Sequence, residues 1–193
     1  MTAPVYCALV HYPVRDREGN TVSSAVTNID VHDIARSSHT FGLRGMAIVS
    51  PIDAQRALVV RILEHWRLGA GKRRMPHRSE ALAIACAAES IDEAMRWVEQ
   101  REGAVPQLMA TAARALPGGT LTRFVDAAER LARDERPWLI LFGTGHGLTD
   151  DVLARAEVLL EPILGVGDYN HLSVRAAAAI VFDRLFGRTG PND

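Results

Sequence analysis

A glycine-containing loop near the end of the chain constrains the fold more than any other feature of the sequence. Residues 159–174 read LLEPILGVGDYNHLSV and run into Arg175 and the alanines of residues 176–179. This segment joins an apolar strand, a polar loop with glycines and a helix of small residues, an arrangement typical of a ligand-binding loop. Nucleotide-binding α/β proteins usually place their glycine turn after the first strand. The late position argues against an ordinary dinucleotide-binding fold.

Strand and helix patterns alternate along the chain. Strands are predicted at residues 5–10, 22–26, 45–49, 107–112, 138–142 and 158–160. Helices are predicted from Asp30 to near Gly42 and at residues 53–66, 91–100, 121–133, 149–156 and 172–186, while residues 81–88 fit either a helix or a buried strand. Strands that alternate with helices of about 10 to 15 residues indicate βαβ units. The 193 residues are therefore predicted to form one α/β domain, residues 1–193, with helices flanking a mostly parallel sheet.

Overall charge does not point to nucleic acid. The chain has 22 basic and 23 acidic residues and a formal net charge of −1, unlike the strongly positive field of many nucleic-acid-binding proteins. One segment is nevertheless basic, because Lys72, the only lysine, is followed by Arg73, Arg74, His77 and Arg78. Nearby glycines and a proline predict that it forms an exposed loop. Such a loop is either simply solvated or contacts a phosphate backbone.

The sequence also indicates a cytoplasmic protein. It opens without a basic segment before an apolar run, and no stretch reaches the roughly 18 to 20 apolar residues that span a bilayer. Cys7 and Cys86 lie within apolar runs, which favours buried free thiols over a disulfide in a reducing compartment.

A second glycine loop follows a buried strand at residues 139–148, LILFGTGHGL. Gly143, Gly145 and Gly147 lack a Cβ, so backbone N–H and C=O groups can approach a ligand closely. Taken alone, this pattern also fits a tight strand-to-helix turn. Loops that leave parallel strands emerge at one edge of the sheet, so this loop and the late loop are expected to lie side by side.

Residues 27–38 concentrate polar groups around a helix start. Asp33 and Arg36 have the spacing of an intrahelical ion pair, a purely structural alternative for both. The adjacent His32 and Asp33 lack the further ligands that a metal phosphohydrolase needs, so no metal site is predicted. The motifs of serine hydrolases, P-loop proteins and zinc peptidases (GxSxG, GxxxxGK[ST] and HExxH) do not occur in the sequence.

Four segments, taken in order, resemble the predicted RNA methyltransferases of the SPOUT superfamily, also called α/β-knot methyltransferases. They read ALVHYPV at residues 8–14, TNIDVHDIAR at 27–36, FGTGHGL at 142–148, and EPI at 161–163 with GDYNHLSVR at 167–175. The resemblance spans nearly the whole chain. It implies a deep C-terminal trefoil knot, an exception to the general rule against knotted chains.

The resemblance further implies that the knot loops bind S-adenosylmethionine, largely through backbone groups. The cofactor-binding residues expected on this basis are Thr111, Gly143, Gly145, Ile163, Gly165, Leu172 and Ser173. It also implies a homodimer whose final helices pack together, with the alanines of residues 176–179 allowing close approach. An ordinary buried alanine-rich helix is the alternative for that segment.

The implied reaction is transfer of a methyl group to an oxygen or nitrogen of RNA, either tRNA or rRNA. Related enzymes often use an arginine that corresponds here to Arg36, which is expected to orient the substrate. The other catalytic candidates are Asp33 or His146 as the base, and Asp168, Asn170 and His171 as contacts to the acceptor or cofactor. Where ribose methyltransferases of this superfamily have an Asn at the head of the first motif, this chain has Asp30, which leaves base or ribose methylation open.

A non-catalytic knotted dimer that binds RNA or a nucleotide is the alternative function. Two observations favour it, the near-neutral net charge and the lack of a recognisable basic RNA-binding domain in the sequence. Binding of S-adenosylmethionine discriminates between the two functions. No membrane partner is predicted.

Overall fold

The computed structural model describes residues 3–111, 120–167 and 169–187. Its strands are β1 (Val5–Val10), β2 (Val14–Arg15), β3 (Thr21–Val22), β4 (Gly45–Val49), β5 (Ala85–Ala88), β6 (Gln107–Thr111), β7 (Trp138–Gly143) and β8 (Val158–Leu160). Its helices are α1 (Asn28–Thr40), α2 (Asp53–Arg67), α3 (Ala70–Arg74), α4 (Pro76–Ala83), α5 (Ile91–Glu102), α6 (Phe124–Arg133), α7 (Asp150–Ala154) and α8 (Val174–Phe186).

A parallel sheet organises the described residues. Its strand order is β5-β4-β1-β7-β6-β8, and every neighbouring pair runs parallel. At the carboxyl end of β1, Val10 is paired with Val49 on one side and with Gly143 on the other. The chain therefore leaves these three strands at the same level of one sheet edge. The α/β class predicted from the alternating patterns is confirmed.

The sheet is buried on both faces, as expected for parallel strands covered by helices. All residues of β1 are buried, and alternate side chains point to opposite faces. Val5, Cys7 and Leu9 belong to the core on the side of α1, α2, α4, α6 and α8. Tyr6, Ala8 and Val10 belong to the core on the side of α5 and α7. Cys7 is a buried free thiol as predicted, whereas the free thiol of Cys86 is only partly buried.

An aromatic contact fixes the last helix against the sheet. The buried ring of Phe182 in α8 lies edge-on to the buried ring of Phe142 in β7, with centroids 5.4 Å apart. Edge-to-face packing of this kind adds to the burial of both rings. It holds the second half of α8 against the end of β7.

Side-chain caps define three helix starts. The hydroxyl of Thr27 accepts a hydrogen bond from the backbone N–H of Asp30, so α1 begins at Asn28, two residues before the start expected at Asp30. Ser90 caps α5 in the same way. Ser173 caps α8 through the N–H of Ala176, so α8 begins after Ser173 rather than at Leu172.

The prediction of a loop at the basic segment, residues 72–78, is wrong. Residues 70–74 form α3, and α4 begins at Pro76, which occupies the first turn where its missing N–H costs nothing. The ambiguous residues 81–88 divide into the end of α4 and the strand β5.

Two other expected elements are shorter than predicted. The strand expected at 22–26 ends at Val22, and it pairs as β3 with β2 in a small hairpin. The helix expected from residue 121 starts at Phe124, because Thr122 instead bridges to Leu160 of β8.

Candidate functional site

The two glycine loops and the start of α1 meet in one cleft at the carboxyl edge of the sheet. This main cleft has a volume of about 960 Å³, within the range of about 300–1,000 Å³ typical of small-molecule sites. Its walls come from the ends of β1, β6, β7 and β8, the hairpin β2–β3, and the first turn of α8. Chain segments far apart in sequence thus converge where parallel strands end, as expected for α/β folds.

The first glycine loop is held in place by the hairpin. The backbone N–H of Arg15 donates to the carbonyl of Gly147 (2.9 Å), and the N–H of His146 donates to the carbonyl of Arg15 (3.0 Å). Gly145 has φ +60°, and a Cβ there would lie 2.9 Å from the Arg15 carbonyl oxygen. A Cβ on Gly143 would lie 2.6 Å from the backbone nitrogen of Leu148. Only glycine fits both positions, so the loop can fold tightly on itself and against the hairpin.

Most of the residues predicted to bind the cofactor line the main cleft. They are Thr111, Gly143, Gly145, Ile163, Leu172 and Ser173. Gly165 is not part of the cleft lining. The hydroxyl of Thr111 is already occupied, since it donates to the carbonyl oxygen of Leu141 at 3.0 Å. Backbone groups of the loops are therefore the more available contacts in this cleft.

The predicted catalytic residues divide between two places. His146, Asn170 and His171 line the main cleft, whereas Asp33 and Arg36 line a neighbouring groove between α1 and α8. We call this depression, of about 470 Å³, the α1–α8 groove. Asp168 lies outside the described residues.

Arg175 connects the two depressions, a role that its position in the sequence did not indicate. It lines both of them. Its guanidinium lies 3.1 Å from a carboxylate oxygen of Asp30 and 3.7 Å from one of Asp33. Asp33 thus pairs with α8 rather than with Arg36 on its own helix. Among the described residues, Arg36 forms no ion pair and is exposed.

A second unexpected feature is a chain of hydrogen bonds at the end of β1. His11 follows β1 directly and is only 1% exposed. Its Nδ1 lies 2.8 Å from the hydroxyl of Ser24, which contacts the hydroxyl of Thr144 in the first glycine loop. Thr144 in turn donates to the carbonyl oxygen of Val10 at 3.1 Å. In the sequence, His11 stands out only as a polar residue directly after an apolar strand, and its hydrogen-bond partners cannot be identified there.

Burial controls the protonation of His11. It lowers the pKa of the imidazole to about 4, although the nearby carboxylate of Asp30 acts in the opposite direction. His11 is therefore neutral at pH 7.

A model of the SAM-dependent RNA methyltransferase family matches residues 4–187 of the chain. The chain belongs to this family. The match includes both glycine loops, the start of α1 and the whole main cleft, so the resemblance noted in the sequence is confirmed.

Relatives within reach of sequence comparison differ in length. A tRNA (guanine-N(1)-)-methyltransferase of Nitratidesulfovibrio vulgaris is 44% identical over 183 residues, which are 95% of this chain but 42% of that protein. An uncharacterized protein of Aquifex aeolicus is 39% identical over 184 residues, which are 95% of this chain and 89% of that protein. The chain thus spans less than half the length of the relative from N. vulgaris.

Solved structures of methyltransferases share the fold. The SpoU methyltransferase AviRb of Streptomyces viridochromogenes has a TM-score of 0.55 and 19% identity, covering 96% of this chain and 62% of that one. An AdoMet-bound rRNA methyltransferase of Sinorhizobium meliloti has a TM-score of 0.55 and 18% identity, covering 95% and 57%. At these identities the likeness shows a common fold.

In the described ranges, no three His, Cys, Asp or Glu side chains lie close enough together to hold a metal ion. None of the helices in the same ranges is both long and apolar enough to cross a bilayer.

The buried neutral His11 makes stability depend on pH. Its ordinary pKa of 6.5 in the unfolded chain falls to about 4 in the folded protein. As pH falls from 6.5 towards 4, the unfolded chain therefore binds a proton that the folded protein does not, and the free energy of unfolding decreases, by at most about 3 kcal/mol. Urea titrations at pH 7.5 and 5 should show this loss, and His11→Asn should reduce it. An equal loss in the variant would contradict the assignment.

Proposed function

We propose that this chain catalyses methyl transfer from S-adenosylmethionine to RNA. The observation that carries the proposal is the main cleft, in which two glycine loops present backbone groups at the edge of the sheet in a chain of this family. Two relatives are named tRNA (guanine-N(1)-)-methyltransferase. This favours tRNA as the substrate to test first, with rRNA as the second.

The cleft suits the cofactor. Gly143 and Gly145 lie where a Cβ would clash with backbone atoms, so the glycines let the loop pack tightly on itself and on the hairpin that holds it at the cleft. We assign cofactor binding to the six lining residues predicted from the sequence and to Gly165. When bound, S-adenosylmethionine supplies a methyl group already activated on a sulfonium. The chain's own residues must therefore align the acceptor and take up its proton.

The roles of the other site residues are proposed from their positions in the structure. Arg36 is proposed to orient the RNA, since it is exposed and without an ion pair among the described residues. Asn170 and His171 are proposed to contact the acceptor or the cofactor from the wall of the main cleft, and we propose the same for Asp168. His146, exposed on the glycine loop, fits the role of base better than Asp33, which is paired with Arg175.

We further propose a knotted homodimer. The backbone N–H of Thr122 donates to the carbonyl of Leu159 (2.7 Å), and the N–H of Glu161 donates to the carbonyl of Thr122 (2.9 Å), so the segment before α6 lies beside β8 where the late loop begins. The α1–α8 groove contains the small side chains of Ala176 and Ala179. A partner subunit seated there would bring its cleft to Arg36. Light scattering should give the mass of a dimer, and Ala179→Glu should give a monomer.

Methyl transfer is tested directly. Purified protein, S-adenosylmethionine with a labelled methyl group, and tRNA or rRNA from cells lacking the gene should yield labelled RNA, and nucleoside mass spectrometry identifies the acceptor. Calorimetry should show cofactor binding. If the folded protein does not bind S-adenosylmethionine, the enzymatic function is wrong and the non-catalytic RNA- or nucleotide-binding dimer takes its place. We propose that the reaction takes place in the cytoplasm.

The basic segment of α3 and α4 is proposed to contact RNA phosphates. Lys72, Arg73 and Arg74 are exposed, and Arg78 stacks over the ring of Trp66, 5.1 Å from its centroid. Among the described residues, these cations form no ion pair, which leaves them available to phosphate groups.

Removing two of these charges should weaken RNA binding. Arg73→Gln with Arg74→Gln should reduce the slope of log affinity against log salt by about 1.5 to 2, measured with unfractionated tRNA. Cofactor affinity should not change. The matched control is Arg133→Gln with Arg136→Gln, because these arginines already pair with Glu129 and Asp134. An equal effect of both double variants would contradict a specific RNA surface.

A further inference from the structure

The hydrogen bonds that link His11, Ser24 and Thr144 to a backbone carbonyl can run in only one donor-to-acceptor direction. Thr144 Oγ1 must donate its single proton to the Val10 carbonyl oxygen, because a carbonyl only accepts. Ser24 must then donate to Thr144, and the nitrogen 2.8 Å from Ser24, His11 Nδ1, must carry the proton donated to Ser24. The neutral imidazole of His11 therefore has a free lone pair on Nε2.

That lone pair lacks a partner in a buried position. Among residues 3–111, 120–167 and 169–187, no atom forms a hydrogen bond with His11 Nε2, which is shielded from solvent. Buried polar atoms in folded proteins are nearly always paired, so an exception requires an explanation. His11 lines the main cleft. A donor that enters this cleft would supply the missing hydrogen bond once the side chains that cover Nε2 shift aside.

The position of His11 in the sheet places it at one side of the proposed cofactor wall. Gly143 and Thr111 are the last residues of β7 and β6, and Ile163 follows β8, so these residues share one half of the sheet edge. His11 follows β1, on the other side of β7, and it lies near Asp30 at the start of α1. His11 thus lies at the β1 side of the cleft, beside Gly143 and away from β6 and β8. The acceptor nucleotide is the reactant to which no part of the cleft has yet been assigned.

We propose that His11 Nε2 accepts the proton of the RNA atom that becomes methylated. This inference rests on the methyl-transfer function proposed above. In the step, the acceptor oxygen or nitrogen forms a bond to the methyl carbon while the carbon–sulfur bond breaks and its electron pair goes to sulfur. The acceptor's proton passes to Nε2, and the imidazolium later releases it to water. Ser24 and Thr144 are positioning residues, because they hold the imidazole with its proton on Nδ1.

A buried imidazole is adequate for this task. Burial keeps His11 unprotonated at neutral pH, so its lone pair is available before the reaction. The acceptor gains positive charge as its new bond forms, which makes its proton strongly acidic and lets a weak base remove it. The carboxylate of Asp30 favours the imidazolium that results.

The first test compares matched asparagine variants. His11→Asn retains a side-chain N–H near the position of Nδ1 and removes Nε2. It should lower methyl transfer to tRNA or rRNA by about 10²–10⁴-fold, the range for loss of a general base, and leave the dissociation constant for S-adenosylmethionine within about twofold. His39→Asn, an exposed histidine outside both depressions, should transfer normally. Transfer by His11→Asn at the wild-type rate would overturn the proposal, as would an equal loss of cofactor binding.

The competing bases are tested in the same assay. His146→Asn and Asp33→Asn should each retain more transfer than His11→Asn. A greater loss in either variant would assign the proton to that residue instead. If the wild-type protein transfers no methyl group to RNA, the proposed function itself fails, whereas normal transfer by wild type and His11→Asn alike refutes only the role of His11.

A second measurement does not depend on activity or on the folding of a histidine variant. Long-range ¹H–¹⁵N spectra of protein labelled at histidine should show His11 as the neutral form protonated on Nδ1. Ser24→Ala should release this preference and lower transfer by about tenfold, comparable to the loss of one hydrogen bond. A wild-type His11 protonated on Nε2 would overturn the proposal, because Nε2 could not then accept a proton.

Discussion

Gly143→Ala is expected to abolish measurable binding of S-adenosylmethionine, with a loss of affinity of at least about 100-fold, or about 2.7 kcal/mol. The added Cβ would lie 2.6 Å from the backbone nitrogen of Leu148 and 2.9 Å from the carbonyl carbon of Gly147. Both are backbone atoms, so no side-chain rotation relieves the contact. The glycine loop would have to move away from the bonds that hold it to Arg15. Calorimetry with purified, folded protein measures the effect.

The control for Gly143→Ala is a second crowded glycine at the opposite edge of the sheet. A Cβ on Gly45 would lie 2.4 Å from the ring of Trp97 and 2.7 Å from that of Tyr6, at the amino end of β4. Gly45→Ala should therefore destabilise the fold, by about 1–3 kcal/mol for an overpacked core, and still bind the cofactor when folded. Normal binding by Gly143→Ala would show that the first glycine loop is not the cofactor site.

Arg36→Ala is expected to leave cofactor binding within about twofold and to lower methyl transfer by at least about 100-fold. The reason is its placement, since Arg36 lies in the α1–α8 groove and not in the main cleft. Arg36→Lys should restore only part of the activity, because an ammonium cannot form the two parallel hydrogen bonds that a guanidinium makes to a phosphate. Methyl transfer and calorimetry on the same preparations separate the two effects. Undiminished transfer by Arg36→Ala would reject this role.

A mixed dimer determines which subunit uses Arg36. One subunit carries Arg36→Ala and the other carries Gly143→Ala, and neither homodimer should be active. If Arg36 acts across the dimer, the mixed dimer keeps one complete site, formed by the cleft of the first subunit and Arg36 of the second. About half of the wild-type activity is then expected. An inactive mixed dimer would place Arg36 and its cleft in the same subunit.

The exposed segments were the least predictable from sequence. The stretch from Lys72 to Arg78 has the composition of a loop, yet it forms parts of α3 and α4. Packing supplies the reason, since the hydroxyl of Ser79 donates to the backbone carbonyl of Trp66 at 2.7 Å, and Arg78 covers the ring of the same residue. The amino-acid composition of this stretch does not indicate such contacts with α2. Tertiary packing overrides weak secondary-structure propensities.

The sequence by itself determined the fold class, the position of the glycine loops and the family. These properties are local, because the periods of strands and helices appear in the pattern of neighbouring residues, and a glycine is identified directly from the sequence. Both loops follow strands, and parallel strands end at one edge, so the cleft could be anticipated with most of the lining residues that we propose to bind the cofactor.

Only the tertiary structure decided which polar groups act together. His11 meets Ser24 across 13 residues of sequence, Ser24 meets Thr144 across 120, and Arg175 reaches Asp30 across 145. The tertiary structure likewise placed Arg36 outside the main cleft and left Nε2 of His11 without a partner among the described residues. Such pairings depend on how distant loops converge and on how deeply each group is buried. Neither property is present in the spacing of residues along the chain.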